Sequence, residues 1–433
     1  MTMPMSRRQA LKAAVMIASP AVFRSFAHAA PSETLLHVSV GASGMAGSDI
    51  DSLTSHKNLK LVAVADVDLG RAQELKKKHP GIHVYQDWRE MFDKENFDSV
   101  NVSTPDHMHA CPTMRAIMMG KHVYTQKPLT QTIYECRQLT LAAKEAKIVS
   151  QMGIQIHSHP VHKSVVELIR SGAVGPIKEV HSWSGKTWGD PSAMPTRQDP
   201  IPKDFSWDLW LGVAADRPFI GVDYYHPANW RKRLDFGTGT FGDMGCHILD
   251  PVFGSLGVHS ATSIKSVGGK PNEHNWGLNA QVEYIFPGTQ YTAKEVKLTW
   301  YDGNRRPPDS VQKQVGAKLI DQGSIYLGEK GVVYSPYIAA PIIVGTNAKI
   351  PEVRGDNHYH QFIDAARGIG RTSAPFDYAG PLTEMVLLGT LSTRFPHVNL
   401  QWDGQKMEFK NEPAASAFVR RTYRKGWEEK GLS

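Results

Sequence analysis

The sequence predicts an α/β chain in two parts. A doubly wound parallel sheet comes first, and an α/β part with a large open, mainly antiparallel sheet follows. Two observations carry that prediction. Up to about residue 155, short apolar runs alternate with amphipathic helical stretches, the order that builds a parallel sheet covered on both faces. Beyond it, strand-like runs follow one another between Pro- and Asp-rich loops, and 433 residues exceed what one ordinary core sustains.

The first apolar run, Leu35 to Val40, has the length of one buried strand. It enters the small-residue turn Gly41-Ala42-Ser43-Gly44-Met45-Ala46-Gly47, after which Ala46, Ile50 and Leu53 recur at helical spacing. A second run, Leu59 to Ala65, ends on Asp66. Strand, glycine-rich turn, helix, strand, acid is the order a dinucleotide needs. Small side chains let the backbone approach a pyrophosphate, and N–H groups at the helix start hold its charge. An acid closing the second strand accepts from the ribose hydroxyls and repels a 2′-phosphate, so NAD is expected over NADP. The usual three-glycine frame reads Gly41, Ser43, Ala46 here, with Gly44 out of step. The same glycines fit the turn of short-chain dehydrogenases, but that class needs Tyr-x-x-x-Lys, and Tyr134 is followed at the fourth position by Gln138.

Alternation continues with a charged helix over 71–78, a strand His83–Tyr85, and a strand Phe97–Ser103 ending in Thr104-Pro105. A helix Ala110–Met119 carries a Met/Ile stripe read as packing. A strand His122–Thr125 runs into Gln126-Lys127-Pro128, and a helix Ile133–Ala146 leads to a strand Ile148–Met152. Ligands bind beyond the carboxyl ends of such strands, and those ends carry Gly41, Asp66, Thr104, Lys127 and Gln155. Next come a helix His162–Ser171, a strand Ile177–Trp188, and strands Ser263–Val267, Ala280–Phe286, Val296–Trp300 and Ser324–Tyr334. Helices Asp356–Arg367 and Leu382–Arg394 and an edge element at Leu400–Asp403 close the series. The expected division is a leader over 1–30, a nucleotide domain over 31–155 and a substrate domain over 156–433, with the last helices packing back on the nucleotide domain.

The leader reading rests on Ser6-Arg7-Arg8-Gln9-Ala10-Leu11-Lys12, similar to a twin-arginine export signal, then an apolar stretch Ala13–Phe23 and Ala27-His28-Ala29 as a cleavage site. Export to the periplasm is the expectation, and the apolar stretch is too short to span a bilayer. The formal charge is +7, but Arg7, Arg8, Lys12 and Arg24 stand in the leader without an acid. The remainder carries 45 basic against 42 acidic residues, a balance of +3, and no basic stripe with interleaved aromatics, so nucleic acid is not an expected partner. Cys111, Cys136 and Cys246 have no metal-ligand spacing and read as single buried thiols.

Two groups can carry chemistry. Lys127, at a strand end before a proline, can reach a substrate hydroxyl and the nicotinamide ribose. In Gly237-Thr238-Gly239-Thr240-Phe241-Gly242-Asp243-Met244-Gly245-Cys246-His247, Asp243 and His247 share one helix face. A carboxylate beside an imidazole stabilises its protonated form and fixes its orientation, preparing a general acid/base. A capping Asp and a core His would give the same spacing, but the glycines ahead of the helix let its start press close to a ligand.

The turn at Gly41, Ser103-Thr104-Pro105-Asp106-His107-Met108-His109, Tyr124-Thr125-Gln126-Lys127-Pro128 and the Asp243…His247 block together resemble the Gfo/Idh/MocA oxidoreductase family. The resemblance covers nearly the whole chain after the leader. It implies a Rossmann domain followed by an α/β domain whose large sheet often forms the oligomer contact, NAD(P), and a sugar or cyclitol substrate. A homo-oligomer, dimer or tetramer, is therefore expected. By the resemblance, Lys127 matches the lysine of Glu-Lys-Pro and Asp243 and His247 match Asp-x-x-x-His. Thr104, Pro105 and His109 match the loop under the nicotinamide, and Trp230-Arg231 a Trp-Arg element reaching the cofactor. Gln126 departs from the motif's Glu, which leaves Lys127 without an adjacent carboxylate.

The expected cofactor contacts are thus Gly41, Ser43, Gly44, Met45, Asp66, Thr104, Pro105, His109, Gln126, Lys127, Trp230 and Arg231. The expected substrate contacts are Lys127, Gln155, His157, Asp243 and His247. His247, oriented by Asp243, takes a hydroxyl proton while Lys127 holds that oxygen and hydride leaves the carbon. Two alternatives stand beside this. A retained NAD could oxidise a glycoside transiently, permit elimination and return its hydride, or the chain could bind sugar and nucleotide without catalysis. His157, His159 and His162 with Asp106, His107 and His109 have metal-ligand chemistry, but no fixed fourth ligand, and a metal is not expected. Trp183, Trp188, Trp207 and Trp210 are candidates to stack on sugar faces.

Overall fold

A computed structural model describes residues 33–433. The leader with Arg7 and Arg8 lies outside the described residues. The first sheet holds β1 (Leu35–Val40), β2 (Leu59–Ala65), β3 (His83–Tyr85), β4 (Ser99–Val102), β5 (His122–Gln126) and β6 (Ser150–Gly153), in the order β3-β2-β1-β4-β5-β6. All its pairings are parallel. The order reverses between β1 and β4, and ligands bind at such a switch point. Val38, Val100 and Val123 are fully buried, but so are His37, Ser99 and Asn101. His37 Nδ1 meets Ser99 Oγ at 2.8 Å and Nε2 meets Asn101 Oδ1 at 3.0 Å. A polar ladder therefore runs through the sheet toward its carboxyl edge.

The second sheet holds β7 (Ile177–Ser184), β8 (Ser263–Gly268), β9 (Gln281–Pro287), β10 (Thr292–Asp302), β11 (Gln322–Gly328), β12 (Val332–Pro336), β13 (Ile342–Val344) and β14 (Asn399–Leu400). Its order is β13-β12-β11-β7-β10-β9-β8-β14, and every neighbouring pair except β7/β10 is antiparallel. The run Ser324–Tyr334, expected as one strand, is a hairpin. Its chain reverses at Gly328–Gly331, where the Gly328 N–H donates to the Gly331 carbonyl at 2.9 Å. The break falls at Gly328-Glu329-Lys330-Gly331, a polar stretch between glycines that is itself a turn signal.

Helix Ile133–Ala146 starts at a capping box: the Thr132 hydroxyl accepts from the Glu135 N–H, and the Glu135 carboxylate accepts from the Thr132 N–H. Helix Phe376–Ser392 begins earlier than its expected start at Leu382 and runs through Pro381. It lies between helices Ile133–Ala146 and Gly239–Ile248. At Gly245 a Cβ would stand 2.9 Å from both Val386 and Phe241, so glycine lets the two helices close. From helix His358–Ala366, Phe362 and Ile363 share a buried cluster with Leu35, Leu53 and Tyr124. Near the chain end, Arg115 pairs with Glu429 at 2.9 Å, and Arg89 lies over the Trp427 ring at 4.2 Å. Among the described residues no helix is long and apolar enough to cross a membrane.

Candidate active site

Val40 lies opposite Ala65 and Val102, so the chain ends of β1, β2 and β4 open side by side. Gly41 turns away from β1 with φ 107°, and a Cβ there would stand 2.7 Å from the Ser103 carbonyl oxygen. Only glycine fits both the angle and the space. Gly44, with φ 62°, caps helix Met45–Thr54. Together they floor a groove of about 330 Å³. Ser43, Met45, Asp66, Thr104 and Pro105 line it from the first sheet, and Trp230 and Arg231 close it from the second part of the chain.

The two Asp66 oxygens each accept one backbone N–H, from Ala42 and from Asp68, both at 2.9 Å. Burial pushes its carboxyl up to about 6, these bonds opposing. Arg71 donates to Ser43 Oγ at 2.8 Å and to Asp68 at 3.0 Å, placing a cation beside the acid. Nothing in the sequence singles out Arg71, because one arginine among the charges of a solvated helix carries no signal.

Three expected cofactor contacts, His109, Gln126 and Lys127, do not line the groove. The His109 ring lies between the Thr104 carbonyl at 2.8 Å and the Pro128 carbonyl at 2.7 Å, tying together two loops that bear site residues. The Gln126 amide turns away to the carboxylate of Asp49, at 3.0 and 2.9 Å.

Helix Gly239–Ile248 carries Asp243 and His247 one turn apart. Asp243 Oδ1 accepts from Lys127 Nζ at 2.7 Å and from Arg231 Nε at 3.3 Å. Its Oδ2 accepts from Trp188 Nε1 at 2.8 Å, with Lys186 Nζ at 3.6 Å. Burial alone would raise this carboxyl, but the charges of Lys127, Arg231 and Lys186 outweigh it and hold Asp243 well below the usual carboxylate range.

This arrangement corrects three expectations. Asp243 makes no hydrogen bond to His247 among the described contacts; its lone pairs are taken by Lys127, Arg231 and Trp188. Lys127 has its carboxylate after all, from Asp243 rather than from the residue beside it. His247 is held neutral instead of protonated. Burial, then the nearby Lys127 charge, pushes its pKa down to about 3 against the pull of Asp243, and its Nδ1 is buried without a partner.

Farther along, His157 Nδ1 meets the Asp250 carboxylate at 2.9 Å, and the Tyr378 hydroxyl donates to it at 2.6 Å. Burial would depress His157, but the Asp250 charge outweighs it and raises the imidazole. Tyr337 stands between the two parts, its ring 6.3 Å from His247 and 6.1 Å from His162. Gln155 donates to the Tyr359 hydroxyl at 3.0 Å. Two of the five expected substrate residues, Gln155 and His157, are thus engaged with protein partners. Among the described residues no group of three or more His, Cys, Asp or Glu is arranged to hold a metal.

Of the four candidate tryptophans, Trp183, Trp207 and Trp210 are buried. Trp188 is half-buried and binds Asp243. Cys111, Cys136 and Cys246 are free and buried.

The groove fits a dinucleotide on its own features: a floor that a Cβ would obstruct, an acid at the second strand end, and a wall residue, Arg231, that reaches the Asp243 carboxylate paired with Lys127. The chain matches the description "Oxidoreductase family, NAD-binding Rossmann fold" over residues 35–154. It matches "Oxidoreductase family, C-terminal alpha/beta domain" over residues 160–429. It belongs to the Gfo/Idh/MocA oxidoreductase family. Levoglucosan dehydrogenase of Pseudarthrobacter phenanthrenivorans is 26% identical over 47% of this chain and 44% of its own length. The scyllo-inositol 2-dehydrogenase (NADP(+)) IolW of Bacillus subtilis is 21% identical over 59% of each. The chain thus spans about half the length of these curated relatives. The WlbA dehydrogenase of Chromobacterium violaceum, solved with NADH and UDP-GlcNAcA, shares the fold with a TM-score of 0.64 at 17% identity. That superposition covers 86% of this chain and 97% of WlbA.

Proposed function

We propose that this chain is an NAD-dependent oxidoreductase acting on a sugar, glycoside or cyclitol hydroxyl by hydride transfer to a tightly held nicotinamide. The observation that carries the reading is the convergence on Asp243. Lys127 from β5's end and Arg231 from the groove wall meet one carboxylate, 2.7 and 3.3 Å away, with His247 one helical turn farther on. A nicotinamide bound in the groove supplies the hydride acceptor. The Lys127 ammonium, aimed by Asp243, donates to the substrate oxygen and stabilises negative charge developing there. The neutral His247 imidazole has a free lone pair to accept the hydroxyl proton. Two relatives named for dehydrogenation of levoglucosan and scyllo-inositol support a polyhydroxylated substrate.

Asp66 supports NAD over NADP, since a 2′-phosphate would meet its carboxylate. The arginine pair in residues 1–30 supports export by the twin-arginine route to the periplasm, and unchanged export of an R7K/R8K variant removes that reading. We further take residues 31–155 as the nucleotide domain and 156–433 as the substrate domain of a homo-oligomer, dimer or tetramer; light scattering of the purified protein measures its mass. The central test is the near-ultraviolet spectrum of the protein as purified, before and after a panel of sugars and cyclitols. Bound nicotinamide that changes redox state with a polyol is the expected result. Protein that neither carries nor binds nicotinamide overturns the reading.

A further inference from the structure

Asp49 is a carboxylate that the reaction above does not use. It sits in helix Met45–Thr54 on the face that buries Ala46, Ile50 and Leu53, and none of its surface is exposed. A charge so placed is strongly unfavourable unless donors surround it. Here the Ser103 hydroxyl donates at 2.7 Å, the Tyr359 hydroxyl at 2.9 Å, and Gln126 Nε2 reaches both oxygens at 3.0 and 2.9 Å. Behind the Gln126 amide stands Gly153, where a Cβ would lie 2.6 Å from Nε2, so the amide is pinned against Asp49. Gln126 Oε1 accepts the Lys127 N–H at 3.3 Å. Asp49 thus ties together the turn helix, the end of β4 and the strand that delivers Lys127.

We propose that Asp49 is a positioning residue for the nucleotide groove, supplying through Gln126 a negative charge behind Lys127, and that this charge can be exchanged between positions 49 and 126. The inference rests on the nucleotide-binding reading. Its physical basis is local. Carboxylate against amide satisfies the contact whichever position carries the acid, because Asp/Asn and Gln/Glu are equal in shape. Two carboxylates there repel, and one must take a proton. Two amides leave no anion at the 49–126 contact, and the strand end loses the charge held against it.

The test is an exchange series in the full-length protein: Asp49→Asn, Gln126→Glu and the double variant, read by NAD affinity and by the thermal unfolding midpoint. Each single variant is expected to bind NAD at least tenfold more weakly, and the double variant to return to within about threefold of the parent. Recovery on restoring the pair separates positioning from loss of a generic packing group. Single variants that bind like the parent overturn the proposal, as does a double variant no better than the weaker single. Should a single variant fail to fold, the double variant decides alone: folded and NAD-binding supports the exchange, unfolded overturns it. If the parent itself binds no NAD, the function reading fails, and the midpoints still judge the exchange. A double variant that regains the parent midpoint supports it, and one that does not overturns it.

Discussion

Lys127 Nζ lies 2.7 Å from Asp243 Oδ1 and 2.8 Å from the carbonyl oxygen of the same residue. One side chain from a strand end is thus held by both side chain and backbone of one turn in a helix 116 residues away. A residue at the first sheet's edge and one of helix Gly239–Ile248 thus form an ion pair whose side chains are only 12% and 8% exposed.

Breaking that pair is therefore costly. Removing one partner of a buried ion pair typically destabilises by about 3–5 kcal/mol, because the other charge is left uncompensated. Asp243→Ala is expected to lose stability on that order and to lose turnover entirely, with Lys127, Arg231 and Lys186 mutually repelling. Chemical denaturation and steady-state rates check it; an Asp243→Ala protein of parental stability and rate contradicts the assignment.

His247→Ala should lower kcat by about 10²–10⁴-fold, the usual worth of a positioned acid–base group, while NAD affinity stays unchanged. Because the imidazole is held near 3, the free enzyme's kcat/KM should show no histidine-like titration near pH 6.5 that disappears in the variant. An inflection there, lost on substitution, would place the base elsewhere on the pH scale.

Acid stability follows from opposing shifts. Burial depresses His37, His226 and His358 to about 4 and His107 and His247 to about 3. Below pH 6.5 the unfolded chain protonates these residues and the folded one does not, so their contribution falls with pH. Asp49 and Asp66, raised to about 6, and Asp302, raised to about 7, act the other way: between pH 7 and about 4 they bind protons only in the folded state. Below pH 4 that compensation ends, and the depressed carboxyls of Asp243 and Asp250 add to the loss. Stability should slope gently from pH 6.5 to 4 and collapse below it. Urea midpoints across that range check the break.

Asp66→Ser should improve NADP binding relative to NAD at least tenfold, about 1.4 kcal/mol, since it removes the repelling carboxylate and leaves Arg71 beside Ser43. Comparative titrations with both nucleotides measure it; an unchanged ratio removes Asp66 from the discrimination.

Gly41→Ala tests the groove floor. The new Cβ would press on the Ser103 carbonyl at 2.7 Å in a backbone region that L side chains avoid, a strain of order 1–3 kcal/mol. NAD affinity should fall along with the melting temperature.

The first sheet was legible because β1 and β2 are apolar runs, β3 through β5 alternate valine with polar residues at strand length between turn signals, and the helix Ile133–Ala146 announces itself with Thr132 and Glu135. Lys127, Asp243 and His247 were legible as residue types at meaningful spacing. Their partners were not. That Asp243 serves Lys127 and Trp188 instead of His247 depends on contacts across 116 and 55 residues, which no local pattern encodes. Lys186 sits in a loop with no motif around it. Asp49 did leave a trace: an acid in step with Ala46, Ile50 and Leu53 on a buried helix face needs a reason to be there.

Tyr423, Trp427 and Leu432 belong to the same buried cluster as Val38, Val100 and Ala110, and Glu429 holds Arg115. The outer wall of the sheet that is synthesised first is therefore completed by residues synthesised hundreds of positions later. Until that segment leaves the ribosome, the nucleotide-binding half exposes apolar surface meant for it, so its closure waits on residues 423–432. Clipping a dozen residues from this end should loosen the opposite end of the sequence, where the glycine turn is.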